Sequence, residues 1–423
     1  MRIDNHIEMS ISKQEFKTLR EKYPSWLEMK SHFESEEGGK LRVVEQGTHA
    51  VVRYEKNGVA AATAAATAAD AIFRSVVWDI SANLPLCVAP FRANEGLPPV
   101  NTVFSAVEEF VDGFMVNAWV AGGELHISTR TRIGGENKFY SDKTFGQMFA
   151  ECVKNSTLKN METLKAELER LRADVSGNSA FVSFVVQHPE HRIVAKVSTP
   201  GLFAVHTGYV VEDGTVNVSE RSVHWPQALA RLQVPAYTRR VFKMEGEAEE
   251  FLRETAAEHG WRWQGLVFKN GTGTRWRMRT PTYTMLRQLR GTESTPLERF
   301  FRLRASRQVV DYLKHYGEER QEFWEFEQKL RARTSDILAA YTDAHKAHVV
   351  EFKNLPDALK PAVYLLHLKW RDELRSKGFS VRLQNAISVV NKMRGFEKQR
   401  LMAAAPYVAI SPHVVVLGEE LVA

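Results

Sequence analysis

Two periodicities divide this chain. From about residue 40 to residue 290 apolar residues come in short runs or alternate with polar ones, the signature of strands. The run IFRSVVWDI predicts a buried strand, with LPLCVAPF as its hairpin partner across Ser81-Ala82-Asn83. LRVVEQGTHAVVRYEKNG reads as strand, break and strand, and VEEFVDGFMVNAWV as a strand pair followed by ELHISTRTRIGG. FVSFVVQ, HRIVAKVS, LFAVHTGYVV and TVNVSE predict further strands, the last two joined at Asp213-Gly214. QGLVFK turns at Asn270-Gly271 and returns as RWRMR, which places Arg275, Arg277 and Arg279 on one face of a sheet, with Trp276 and Met278 directed into a core.

Helical spacing appears in three places within or beside this region. Phe16, Leu19, Tyr23, Trp26 and Leu27 predict one or two short helices over residues 12–33. Leu158, Met161, Leu164, Leu168 and Leu171 form the stripe of a helix from about Ser156, as N-cap, to Ala173. Residues 226–258 read as mostly helical with a strand at VFKM, and AAATAAATAAD as a small-residue helix or ordered loop. Beyond Thr295 helical periodicity is dense and strand signal nearly vanishes, with a break at Asn354-Leu355-Pro356 and further helices to about Ala405. The expected organisation is an N-terminal helical segment (1–39), an α+β domain on antiparallel strands (40–291) and an all-helical C-terminal domain (296–423).

At 423 residues the chain exceeds one ordinary core. A net charge of +6 and a pI near 9.1 are compatible with nucleic-acid binding without requiring it. Cys87 and Cys152 make neither a disulfide framework nor a zinc pattern. With no signal-peptide core, long apolar span or transit peptide, the expected setting is intracellular and cytoplasmic, away from membranes. His188 and His191 in QHPEHR have a turn's spacing and no accompanying carboxylate cluster, so a metal role is not assigned to them. Arg299, Arg302, Arg304 and Arg307, at helical spacing, form either a solvated face or an RNA-docking face.

The ordered series IFRSVVWD, FVDGFMVN, ISTRTR, FVSFVVQHPEHRIV, QGLVFK and RWRMR resembles the ATP-dependent RNA ligases of the T-even phage type, covalent nucleotidyltransferases. The resemblance spans roughly residues 40–290. It implies an antiparallel-sheet nucleotidyltransferase domain (an ATP-grasp-like ligase domain), ATP and Mg²⁺ as cofactors, and an RNA partner, such as a tRNA-like one, chosen with help from the helical domain. The implied reaction joins a 5′-phosphate to a 3′-hydroxyl in RNA repair. The family's K-x-D-G lysine, which carries AMP, falls on Phe110, with Asp112 and Gly113 in place. By the same resemblance Arg74, Arg130 and Arg132 are nucleotide- or RNA-phosphate-binding positions. Ser183 stands where a ribose-binding glutamate is expected, with Phe181 or Phe184 as the ring that stacks on adenine. Gln264 replaces a metal-holding glutamate, and Arg277 and Arg279 replace a lysine pair.

The departures fall on chemistry. Phenylalanine has no lone pair with which to form a phosphoramidate. Glutamine is a poorer Mg²⁺ ligand than a carboxylate. Arginine keeps charge and phosphate binding but replaces a compact ammonium with a planar fork. Lys56, Lys138, Lys143 and Lys269 are candidates to supply a nucleophile from elsewhere, and an RNA end already carrying AMP could be sealed without one. The alternative to a working ligase is a pseudoenzyme that binds RNA or nucleotide, or serves as an assembly partner.

Overall fold

A computed structural model describes residues 10–55, 72–221, 225–238 and 241–411. The expected small-residue helix and Lys56 lie outside the described residues. The chain divides into two compact units, Met1–Gln288 and Leu289–Ala423.

The first unit is α+β with three sheets. β2 (Arg42–Gln46), β3 (His49–Arg53), β4 (Val76–Asp79) and β5 (Leu84–Val88) form an antiparallel four-stranded sheet in chain order. Its face carries Trp78 and Val76, against which the helices Glu15–Lys22 and Trp26–Glu34 place Phe16, Met29 and Phe33. Ser25 and Glu28 close a reciprocal capping box at the start of the second helix. Residues 10–39 are therefore built into the sheet unit, and β1 (Ser10–Lys13) pairs with β12 (Val216–Ser219).

The six-stranded sheet runs β1, β12, β11 (Gly201–Val210), β10 (Ser179–Gln187), β8 (Phe114–Ala121), β9 (Glu124–Ser128), antiparallel throughout. The five-stranded sheet runs β13 (Ala236–Tyr237), β7 (Phe104–Glu109), β14 (Gly265–Asn270), β15 (Arg275–Arg279), β6 (Asn94–Glu95), with only β15 and β6 parallel. β7 and β8 are thus not the hairpin pair that VEEFVDGFMVNAWV predicts. Phe110 to Gly113 carries the chain from one sheet into another, and the cleft described below opens beside that link.

Three other expectations change. HRIVAKVS is not a strand: the backbone N–H groups of Val194 and Ala195 donate to the Asp112 carboxylate, at 3.0 and 2.8 Å, instead of to a ladder. The helix predicted from Ser156 to Ala173 begins instead at Met161, and Ser156 is the C-cap of an earlier helix not expected from the sequence. Phe145–Asn155 buries Phe149, Cys152 and Val153 and ends at Ser156, and Met161–Asp174 starts after Asn160, whose side chain caps Thr163. Between residues 226 and 258 only Gln227–Ala230 and Glu247–His259 are helical, and VFKM contributes a single bridge between Val241 and Val103.

The second unit is helical among its described residues, centred on the 26-residue helix Arg320–His345. Three of the four arginines of the stripe are ion-paired within the unit, and Arg307 is exposed. Arg299 is buried and donates to both Glu319 oxygens at 2.8 and 2.9 Å; Arg302 pairs with Glu293 and Arg304 with Glu327. Phe323 is core, whereas Trp324 is more than half exposed. No helix among the described residues is long and apolar enough to cross a membrane.

Candidate functional site

The β14–β15 hairpin builds the floor of a cleft of about 580 Å³. Cross-strand register sets Gly265, Val267 and Lys269 opposite Arg279, Arg277 and Arg275. Trp276 and Met278 lie on the other face with Phe268 and Leu266, so period-two alternation sorts three guanidinium groups to one side. Gly265 has φ +146°, and a Cβ there would collide with the Met278 carbonyl, which accounts for glycine after Gln264. A Cβ on Gly113 would likewise strike the Val186 carbonyl. Packing against β10 therefore requires glycine at 113.

Arg74, Arg92, Arg130 and Arg287 join Arg275, Arg277 and Arg279 around the cleft. Arg130 donates to the Tyr54 carbonyl at 3.0 Å, and its guanidinium lies 4.9 Å from the Tyr54 ring centroid, with Arg92 at 5.2 Å from the same ring. Burial, followed by the charges of Arg275, Arg277 and Arg130, holds Arg74 down at about 10. Burial and the neighbouring Arg277 and Arg287 likewise lower Arg279, despite its partner Glu95. In both, burial is the larger cause and repulsion from neighbouring guanidinium groups adds to it. Arg275 is 94% buried, and its Nε and Nη1 have no hydrogen-bond partner; the Glu220 carboxylate is 4.0 Å away. An orphaned guanidinium in such a place is costly unless an anion or water reaches it.

The other end of the cleft is apolar, lined by Val111, Met115, Val185, Ile193, Val205 and Val234. Beneath the floor lies a buried charge network. Lys269 Nζ sits 2.9 Å from Glu108 and 2.7 Å from Glu220 and donates to the Val205 carbonyl. Arg221 reaches Glu108 at 3.4 Å. Burial works to raise Glu220, but Lys269, Arg275 and His206 hold it at about 2. Lys269 is therefore a buried ion-pair partner. Lys143 is paired with Glu151 and Glu190, and no lysine lines the cleft among the described residues.

Of the residues singled out in the sequence, the cleft brings together Arg74, Phe110, Asp112, Gly113, Arg130, Gln264, Arg277 and Arg279. Arg132 is exposed and does not line it. Ser183 is buried in β10, donating to Asn117 Oδ1 at 2.7 Å and contacting His206 Nε2 at 3.1 Å. Phe184 packs on Phe149 in one core and Phe181 lies in another. β10 is a central strand covered on both faces, so neither ring is offered to a ligand, and Val185 reaches the cleft instead. Phe110 is half-buried, its ring 4.8 Å from the Arg279 guanidinium. Asp112 is not a base poised for catalysis. One oxygen accepts from Val194 and Ala195, and the other accepts from the Tyr283 hydroxyl at 2.6 Å.

The cleft does not fit a divalent cation. Asp112 already accepts three hydrogen bonds, Glu108 is ion-paired, Glu95 is held by Arg277 and Arg279, and burial shifts the Glu109 carboxyl upward. Gln264 supplies no charge, and seven arginines repel a cation. His188 hydrogen-bonds Glu151 at 2.9 Å and His191 lies among Phe114, Tyr140 and Phe145. No group of three or more candidate metal ligands occurs among the described residues. Arg92, Arg287, Tyr54 and Glu95 carried no motif in the sequence. Arg92 and Glu95 sit in FRANEGLP, which reads as a plain loop, and only β6 pairing with β15 places them here.

No protein-family model matches the chain, and no protein of curated function matches it. Among solved structures it is similar to a "Putative ATP-dependent DNA ligase from Aquifex aeolicus", at 13% identity over 85% of this chain and 86% of that one, with a TM-score of 0.33. A likeness at that level carries no inference about the site.

Proposed function

We propose that this protein is a nucleotidyltransferase-like member of the RNA ligase group that binds the phosphates of an adenine nucleotide or an RNA end without forming a lysine–AMP bond. The observation that carries this reading is Arg275, buried in a cleft of guanidinium groups with its Nε and Nη1 making no hydrogen bond. A cleft basic at one end and apolar at the other matches a ligand with a phosphate chain and a planar base. Phe110 and Gln264 at the positions of lysine and glutamate support binding in place of covalent chemistry. Divalent metal is not part of this reading.

Calorimetric titration with ATP and with a 5′-phosphorylated RNA oligonucleotide, paired with intact-mass measurement after incubation with ATP and Mg²⁺, tests it. The expected result is binding that weakens steeply with salt and is reduced at least tenfold by Arg277→Ala with Arg279→Ala, about 1.4 kcal/mol or more, and no AMP adduct. A covalent AMP adduct, or no binding of either ligand at low salt, overturns it.

A further inference from the structure

Glu95 occupies the outer half of the cleft's own anion site. It lies in the two-residue strand β6, which pairs in parallel with the edge of β15 through Trp276–Asn94 and Arg277–Glu95. Its Oε1 accepts from Arg277, and both its oxygens lie 3.3 Å from Arg279 Nη1. A carboxylate held by two guanidinium groups is the geometry in which a phosphoryl group would be held. The inner arginines differ. Arg275 has unpartnered N–H groups, and Arg74 has one long contact, 3.4 Å to the Pro90 carbonyl. The cleft therefore has an inner pair with no carboxylate within hydrogen-bond distance, Glu220 being 4.0 Å from Arg275, and an outer pair that already holds one.

We propose that Glu95 is a specificity-determining residue, an internal competitor that a chain of two or more phosphates must displace from Arg277 and Arg279 and that a single phosphate does not meet. The inference rests on the phosphate-binding reading above. Displacement is accessible because the Glu95 side chain is 60% exposed, so the released carboxylate returns to water instead of being stranded. β6 is only two residues long and exposed, so little structure opposes its movement. An internal competitor reduces apparent affinity by the fraction of molecules in which the site is closed. A monophosphate on Arg74 and Arg275 escapes that reduction, whereas a pyrophosphate, which must also reach Arg277 and Arg279, carries all of it.

The test is titration of inorganic phosphate and inorganic pyrophosphate into the wild-type protein, Glu95→Gln and Glu95→Ala, with thermal melts confirming that each variant is folded. Both variants are expected to bind pyrophosphate about tenfold more tightly, the scale of one charge-assisted pair, and phosphate within about twofold of wild type. If wild type binds both anions and the variants bind pyrophosphate equally or more weakly, Glu95 orients the arginines instead of competing for them. That result overturns this inference and leaves the phosphate-binding reading standing. If no protein binds either anion, the phosphate-binding reading falls and this inference falls with it.

Discussion

Arg279 lies over the ring of Phe110, its guanidinium carbon 4.8 Å from the ring centroid, while the Phe110 backbone N–H donates to the Gly265 carbonyl at 2.8 Å. The residue at the lysine position of the resembling family thus serves as an apolar plate under an arginine. Phe110→Lys replaces that contact with a second cation beside Arg279, and Arg277 and Arg287 already bear on Arg279. The variant is expected to lose about 1 kcal/mol of stability, measured by urea unfolding, from the cation–π contact and the new repulsion. It is not expected to gain AMP, because seven arginines line the cleft and Gln264 stands where the resembling family has a cation-holding carboxylate. An AMP adduct on the purified variant after incubation with ATP and Mg²⁺, seen by intact mass, would show that one side chain alone separates this protein from self-adenylation.

Asp112 is an anchor. Its carboxylate ties the segment at Val194 and Ala195 to Tyr283, on the helix Pro281–Arg290, which also carries Arg287 to the cleft. Asp112→Ala leaves two backbone donors and a hydroxyl without their acceptor and is expected to cost about 2–4 kcal/mol. Asp112→Asn can keep one oxygen for the backbone pair and offer its NH₂ to the tyrosine oxygen, so it should cost less than half as much. A metal-holding role makes the opposite forecast, with Asn as damaging to ligand binding as Ala. Urea unfolding alongside pyrophosphate titration of both variants separates the two.

His206 sets an acid limit on stability. Burial drives its imidazole down to about 3, against the pull of Glu220, with Arg275 and Lys269 adding to the depression. The folded-state value lies below the unfolded value near 6.5, so the unfolded chain takes up the proton first. The contribution is complete above about pH 6.5 and is lost as pH falls from there towards 3, by at most about 1.4 kcal/mol per pH unit. Glu220, held at about 2, adds its own loss only below its ordinary range. In His206→Gln the amide can keep the bond to the Val88 carbonyl that His206 Nε2 now makes at 2.9 Å. Its unfolding free energy should fall less steeply than wild type between pH 6.5 and 5; parallel curves would rule out a neutral buried imidazole.

The alternation of RWRMR was enough to place Arg275, Arg277 and Arg279 together, because a strand allows only two faces and Trp276 and Met278 claim the buried one. The link at Val111-Asp112-Gly113 was legible as a turn, but not as a passage between sheets, since local pattern does not say which neighbour a strand pairs with. The same blindness hid Glu95, whose two-residue strand has no periodicity to detect. Ser183 and Phe184 fit a motif by order along the chain, yet burial on both faces of β10 turns them into core. HRIVAKVS has strand-like composition, and one distant carboxylate decides otherwise by taking its backbone donors.

In the helical unit one arginine of the expected stripe, Arg299, is internal, whereas Arg307 is exposed. Arg299 is 99% buried and Glu319 receives Arg299, Arg290 and the Tyr312 hydroxyl together. Arg299→Ala removes one cation and leaves the Glu319 carboxylate with less compensation in a half-dry site, at an expected cost of about 3–5 kcal/mol to that unit. Arg299→Met, close in length and apolar, still breaks the pair but fills the space left by the stem, so it should cost less than alanine. An RNA-docking face would behave differently, with both variants stable and RNA affinity reduced in each. Chemical denaturation followed through Trp324 and Trp370, both in this unit, is set beside RNA titration at low salt. Loss of stability with unchanged RNA affinity in the folded Met variant is the outcome expected of a structural arginine.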